Sequence, residues 1–386
     1  MKAFYLTVLF SIIGISAQSQ SYNAFYASMA DSCDQDTLTE YLQQFEDLGV
    51  KELLNAGLDN TKDWIIGKYQ DWGYTDIVED NFQVLGVTTT NIIVTKTGTL
   101  YPDTYVIIDG HYDTKDGPGV NDNGTGTVTI LEIARLIKDI PTEYSIKFVH
   151  FSAEEVGLEG SEHYVDNVVI PSNMDIKLVF NIDQVGGTAG ETNNTITCER
   201  DQSPPNGNDL QSSIYTDELA ACTQLYSILQ TDISFAYGSD YVPFMQNGYV
   251  VTGFYEENES PYTHSVNDSI SNIDMSYYYQ VTKASMGALL HFAVASEELS
   301  LKEFTYADFS LAPNPTKGSL NVLFPDADFS PIAYSISDVG GKIMKEAAID
   351  SKNDTIQINT KDLAPGIYLI QLKSSKGITT RRFVRE

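Results

Sequence analysis

Apolar residues recur three and four positions apart in "TLTEYLQQFEDL" (37–48) and "LDNTKDWIIGKYQDWGY" (58–74), the spacing that lines one face of an α-helix. Gly73 supplies a stop near the end of the second. The period then shortens. "NIIVTKTG" (91–98) and "TYVIIDGHYD" (104–113) are rich in Ile, Val and Tyr and bounded by Gly, which predicts strands. "TGTVTILEIARLIKDI" (125–140) returns to helical spacing and stops at Pro141. "YSIKFVHFSAEE" (144–155) predicts a strand, a short helix follows around Ser161 to Asn167, and "DIKLVFNIDQVGG" (175–187) predicts another strand. "SSIYTDELAACTQLYSIL" (212–229) and "MSYYYQVTKASMGALLHFAVASEEL" (275–299) predict later helices. Strands alternating with helices imply an α/β fold with a doubly wound, mostly parallel sheet and helices on both faces.

Past residues 301–308 the pattern changes. "FSLAPNPTKGSLNVLF" (309–324), "IAYSISDVGGKIMKEAAI" (332–349) and the stretch 354–386 read as short strands parted by Pro, Asn and Gly turns. That is the signature of a small all-β sandwich. The expected layout is a leader at 1–17, an α/β unit at 18–300, a linker at 301–308 and the sandwich at 309–386.

Charge sharpens this division. Residues 304–386 hold 10 Lys+Arg against 9 Asp+Glu, leaving 13 against 44 in residues 1–303 of a chain whose formal charge is -30. So acidic a molecule repels nucleic-acid phosphates and anionic membrane surfaces, and attracts cations. The opening "MKAFYLTVLFSIIGISAQSQ" has one Lys, an apolar run and then small residues, as a signal peptide cut after Ala17 would. The run is shorter than the roughly 20 residues a span requires, and no other stretch comes close, so no membrane span is expected. Three cysteines then sit in a compartment that permits disulfides. Cys198 and Cys222 are the preferred pair, with unpaired buried thiols the alternative.

Ligands of an open α/β sheet bind beyond the carboxyl ends of its strands. There "TYVIIDG" runs into His111, "SIKFVHFSA" into Glu154 and Glu155, and "IKLVFN" towards Asp183. Asp122 lies in the glycine-rich loop "GPGVNDNGTG", and His264 in "SPYTHSVND". Carboxylates gathered in one crevice repel one another unless protons or cations neutralise them, and carboxylates with imidazoles suit zinc. Asp113, two residues beyond His111, can orient its imidazole. His150, His163 and His291 are taken as ordinary core or surface residues.

At "GHYD", "PGVNDNGTG", "SAEEVGLEGS", "NIDQVG" and "YTHSVNDS" the chain resembles the secreted bacterial leucyl aminopeptidase family of two-zinc exopeptidases, over roughly residues 35–300. The resemblance implies two Zn ions, one held by His111 and Asp183, the other by Glu155 and His264, with Asp122 bridging. It makes Glu154 the general base, peptides with a free N-terminus the substrates, and Tyr237 or Tyr262 the oxyanion-supporting group. Two positions depart from the family pattern: Asn123 replaces an Asp, and Tyr241 replaces a His. Glutaminyl cyclases and carboxypeptidases of the same fold, and non-catalytic binding relatives, are the alternatives. Residues 304–386 resemble the C-terminal sorting domain of the type IX secretion system, which implies that machinery as a partner and a secreted, extracellular or cell-surface protein.

Overall fold

The computed structural model describes residues 21–202, 208–236, 238–297, 309–323, 331–338, 340–349, 355–374 and 377–386. The expected leader and linker lie outside the described residues. The chain divides into two units, Met1–Glu297 and Glu298–Glu386.

The first unit opens with α1 (Ala24–Asp31), α2 (Gln35–Asp47) and α3 (Ala56–Asp71). Each is started by a side-chain carbonyl or carboxylate, that of Asn23, Asp34 or Asn55, which accepts from backbone N–H groups of the first turn. β1 (Ile77–Val84) and β2 (Val87–Lys96) form an antiparallel hairpin. Its two turn residues, Leu85 and Gly86, both have positive φ, the backbone a tight two-residue hairpin requires.

Next come β3 (Tyr101–His111), α4 (Thr125–Ile137), β4 (Tyr144–Phe151), α5 (Glu159–Tyr164), α6 (Ile170–Ser172) and β5 (Asp175–Ile182). The unit is completed by β6 (Thr195–Arg200), α7 (Asp209–Tyr226), β7 (Gln230–Phe235), α8 (Tyr241–Gln246), β8 (Val251–Glu256) and α9 (Met275–Phe292). One eight-stranded sheet runs in the order β1-β2-β4-β3-β5-β8-β6-β7. Its centre, β4-β3-β5-β8, is parallel, while β2 joins β4 and β6 joins β8 in antiparallel fashion. The sheet is therefore mixed, with a parallel middle joined to antiparallel neighbours on each side and a parallel β6–β7 pair at one edge.

Alternate residues of the central strands point to opposite faces, and both faces are covered. Val106 and Ile108 of β3 join one core cluster with Ile130 and Ile133 of α4 and Leu289 of α9. Ile107 joins the other with Tyr164 of α5 and Phe244 of α8. Each such fully buried aliphatic side chain contributes about 1.5–3 kcal/mol, enough to fix the strand register on which the site depends.

In the second unit, β9 (Ser310–Ala312), β10 (Ser319–Leu323) and β13 (Thr355–Asn359) form one sheet. β11 (Pro331–Asp338), β12 (Ile343–Ala348), β14 (Gly366–Ser374) and β15 (Gly377–Arg385) form another. Leu320, Val322 and Ile358 from the first sheet share a core with Ile336, Ile370, Leu372 and Phe383 from the second, which makes the unit a sandwich.

The expected pairing of Cys198 with Cys222 is not found. All three cysteines are free and buried. Cys198 on β6 and Cys222 on α7 pack as small apolar groups where the helix covers the strand, and burial pushes both thiols up.

Candidate metal centre

Strand ends build the rim. His111 is the last residue of β3; Asp113 and Asp122 lie on the loop between it and α4. Glu154 and Glu155 follow the end of β4, Asp183 follows the end of β5, and His264 lies between β8 and α9. The parallel register that sets Ile108 beside Phe148 and Phe180 carries these ends to the same edge of the sheet.

Asp122 is the shared member of the cluster. Its Oδ1 lies 3.2 Å from His111 Nε2 and its Oδ2 lies 3.2 Å from His264 Nε2. His111 Nε2 is also 3.5 Å from Asp183 Oδ1, and His264 Nε2 is 2.9 Å from Glu155 Oε2. Two groups of three donors result, His111 with Asp122 and Asp183, and Asp122 with Glu155 and His264. Tetrahedral zinc, with bonds of about 2.0–2.1 Å, keeps its ligand atoms about 3.3 Å apart, and the spacings here bracket that value. Glu154 Oε2 stands 3.9 Å from His111 Nε2; with His111 and Glu155 it forms a further close group. His111 Nε2, Glu155 Oε1 and Asp183 Oδ1 are buried without a hydrogen-bond partner, which fits atoms that serve a cation.

Residues 91–288, just over half of the chain, match the profile of peptidase family M28. The chain belongs to that family. Residues 310–386 match the secretion system C-terminal sorting domain. Aminopeptidase YwaD of Bacillus subtilis is 33% identical over 179 residues, which cover 45% of this chain and 37% of that protein. The chain spans 37% of the length of that protein and 41% of the length of aminopeptidase Y of Saccharomyces cerevisiae, which is 28% identical over 229 residues. Among solved structures, the Legionella pneumophila LapA aminopeptidase aligns with a TM-score of 0.63 at 19% identity, covering 77% of this chain and 81% of its own. A glutaminyl cyclase of Fimbriiglobus ruber aligns with a TM-score of 0.56 at 17% identity, covering 67% and 95%. At such identities these structures share the fold.

Without a cation the M28 rim must hold protons. Burial pushes Glu154 up to about 8 and Glu155 up to about 9, and neighbouring carboxylates add to both shifts. Burial disfavours charge on His111, yet Glu154, Asp183, Asp113 and Asp122 together hold its imidazole well above the usual range. Asp122 is buried too, but the two imidazoles beside its carboxylate bring it down to about 2. A hydrogen bond to Asp122 also raises His264. A divalent cation would replace those protons.

Neighbouring side chains hold the cluster. The Asp113 carboxylate accepts from the backbone N–H of Glu154 at 3.1 Å and of Glu155 at 3.2 Å. His111 Nδ1 lies 3.0 Å from the Asp113 carbonyl oxygen and 3.6 Å from its carboxylate. Ser239 Oγ donates to Asp183 Oδ2 at 2.8 Å. Asn123 Nδ2 donates to the Ile182 carbonyl while its Oδ1 accepts from Gly126 N, ties that an ionised Asp could not make in full. Tyr241 donates to Glu199 at 2.8 Å.

Two supporting acids escaped the sequence reading. Asp268 accepts from Asn121 N at 2.7 Å and Asp122 N at 3.0 Å. Glu256 accepts from Asn121 Nδ2, Ser260 N and Gly187 N at 2.7–2.9 Å. Glu256 carried a usable signal, since it too ends an apolar run, "VVTGFYE". Asp268 lies inside "YTHSVNDS", where only the histidine drew attention.

Tyr237 lies outside the described residues. Tyr262 sits on the His264 loop, where its carbonyl accepts from Ser265 Oγ at 2.6 Å. The remaining histidines stand away from the cluster: His150 bonds Tyr69, His163 pairs with Asp80, and His291 bonds Tyr226. Ala153, Gln184 and His264 hold left-handed backbone at or beside rim residues, the kind of local strain found at functional sites.

Proposed function

We propose that this chain is a secreted zinc aminopeptidase with two metal ions. The observation that carries the reading is Asp122, whose two carboxylate oxygens face two different imidazoles, each with a further carboxylate beside it. His111 and Asp183 would hold one zinc and Glu155 and His264 the other, with Asp122 between them. Bound there, the metal pair supplies Lewis acidity, polarising the scissile carbonyl and lowering the pKa of water.

Glu154 takes a proton from the attacking water and returns it to the amine that leaves as the C–N bond breaks. Its backbone is held by the hydrogen bond that its N–H donates to the Asp113 carboxylate. Tyr262 is the described candidate for supporting the oxyanion. The acidic rim favours a substrate's α-ammonium group, which selects peptides with a free N-terminus. The leader and the sorting domain at 310–386 support export through the type IX machinery to the medium or the cell surface.

Hydrolysis of a leucine anilide by the mature protein tests this reading. Chelation should abolish activity and zinc should restore it. Glu154→Gln should lose about 10²–10⁴-fold in kcat, the range for one general acid–base group, while still binding zinc. A zinc-loaded wild type that leaves amino-terminal anilides intact overturns the assignment, and cyclisation of an N-terminal glutaminyl peptide by the same sample would move it to the cyclases.

A further inference from the structure

The loop between Asp113 and Asp122 is gripped by a segment that lies before the M28 match. Residues 49–52 lie in the connection between α2 and α3, and the matched region starts at residue 91. Lys51 N donates to Thr114 Oγ1 at 2.9 Å, and Thr114 N donates back to the Lys51 carbonyl at 3.2 Å. Asp116 N donates to Glu52 Oε1 at 2.8 Å. Lys51 Nζ donates to the Gly49 carbonyl at 2.6 Å and to the Pro118 carbonyl at 2.8 Å. Every one of these contacts to the loop falls between the two aspartates.

Lys51 is fully buried, with its ammonium 3.8 Å from the centre of the Phe45 ring. A buried lysine is uncommon and costly, and an apolar side chain would fill the same volume more favourably. What an apolar residue could not do is donate two hydrogen bonds, one to its own segment and one to the metal loop. Charged or neutral, the amine has hydrogens for both. On its far side the same loop is fixed just as closely. A Cβ on Gly117 would collide with the carbonyl of Ser265, the residue after His264, and Asp268 holds the N–H groups of Asn121 and Asp122.

We propose that Lys51 is a positioning residue for the shared ligand Asp122, acting through the Pro118 carbonyl to hold residues 114–122 in the shape that presents its carboxylate to both histidines. The inference rests on the two-metal reading above. Because Lys51 touches no substrate or ligand atom, its loss should act on metal affinity and kcat and leave KM nearly unchanged.

Lys51→Met keeps an unbranched apolar stem one atom shorter and removes both hydrogen bonds of the amine. With folding checked by circular dichroism, zinc affinity by chelator competition should fall about 10–100-fold, as for other residues that support metal ligands. The kcat for the leucine anilide should fall with it, and Lys51→Arg, which can still reach the carbonyls, should recover part of both. A folded Lys51→Met with wild-type zinc affinity and kcat overturns the proposal. Should that variant not fold, Thr114→Val decides: it removes the hydroxyl that links Lys51 N to the Gly117 carbonyl. Weaker zinc binding supports the proposal and unchanged binding overturns it. A wild type that binds fewer than two zinc ions overturns the two-metal reading itself, and shows this before any variant is compared.

Discussion

Glu155 and Glu256 lie in the same region of the molecule, both withdrawn from water and both raised by burial, to about 9 and about 7. Their surroundings differ. Glu256 takes three N–H donors and leaves no oxygen bare, whereas Glu155 faces His264 and leaves Oε1 without any partner. The same contrast separates Asp268, which caps two backbone N–H groups, from Asp183, whose Oδ1 is an orphan. For these four acids, the pair supplied with donors fits a part in the architecture, and the pair left with an orphan oxygen inside the metal-type clusters fits a place for a cation. The two kinds should respond oppositely when neutralised.

Glu155→Gln gives the larger effect. It should reduce bound zinc from two ions to one and lower kcat by more than about 100-fold, beyond the range of outer residues that only support ligands. Metal-free protein should melt no lower than the wild type, since the amide replaces a carboxyl group that burial and neighbouring carboxylates already hold in its protonated, neutral form. A clear drop in that melting temperature would show that Glu155 holds the fold, and the division would collapse.

Glu256→Gln should do the reverse. An amide there turns N–H groups towards donors that now lack an acceptor, at a cost of about 1–3 kcal/mol. In a unit of this size the melting temperature should fall by about 2–4 °C per kcal/mol. Zinc stoichiometry should stay at two. Loss of zinc at unchanged stability would place Glu256 among the ligands' partners and not in the framework.

How much of this was open to a reader of the sequence follows from the same contrast. His111, Glu154, Glu155 and Asp183 each come at or just after the end of a strongly apolar strand, so local pattern and topology together mark them. Lys51 had no such mark, because its meaning depends on a contact with Pro118, 67 positions away. β1, β6, β7 and β8 were not read as strands. β1 carries Glu79, Asp80 and Asn81 in its middle, a composition disfavoured in strands, and is held by its pairing with β2. β6 and β7 are only six residues long, and β7 is largely exposed. Within the parallel core, β3, β4 and β5 were legible because they are buried and read as continuous apolar runs, whereas β8 of the same core was not. The cysteines show the limit plainly: their order along the chain made a bond conceivable, and the packing of α7 on β6 uses them as thiols.

His150 carries the comparison from acids to imidazoles, with the smallest expected effect. Its Nε2 lies 2.9 Å from the Tyr69 hydroxyl, its Nδ1 has no partner, and burial lowers it to about 3. A second proton would leave a buried N–H with no acceptor, so the folded ring stays neutral where the unfolded one, near 6.5, takes up a proton. The unfolded state then binds more protons than the folded state between those two values. Its contribution is complete above about pH 6.5 and drains away as pH falls towards 3. His150→Gln removes that proton uptake while keeping a group that can bond Tyr69. The gap between melting temperatures at pH 7 and pH 4 should therefore narrow in the variant, though not close, because burial lowers His291 to about 4 and it titrates in both proteins. Wild type and variant compared with zinc loaded to the same extent share every rim group, so a gap that stays unchanged could mean only that His150 is not the neutral, framework histidine its partners make it.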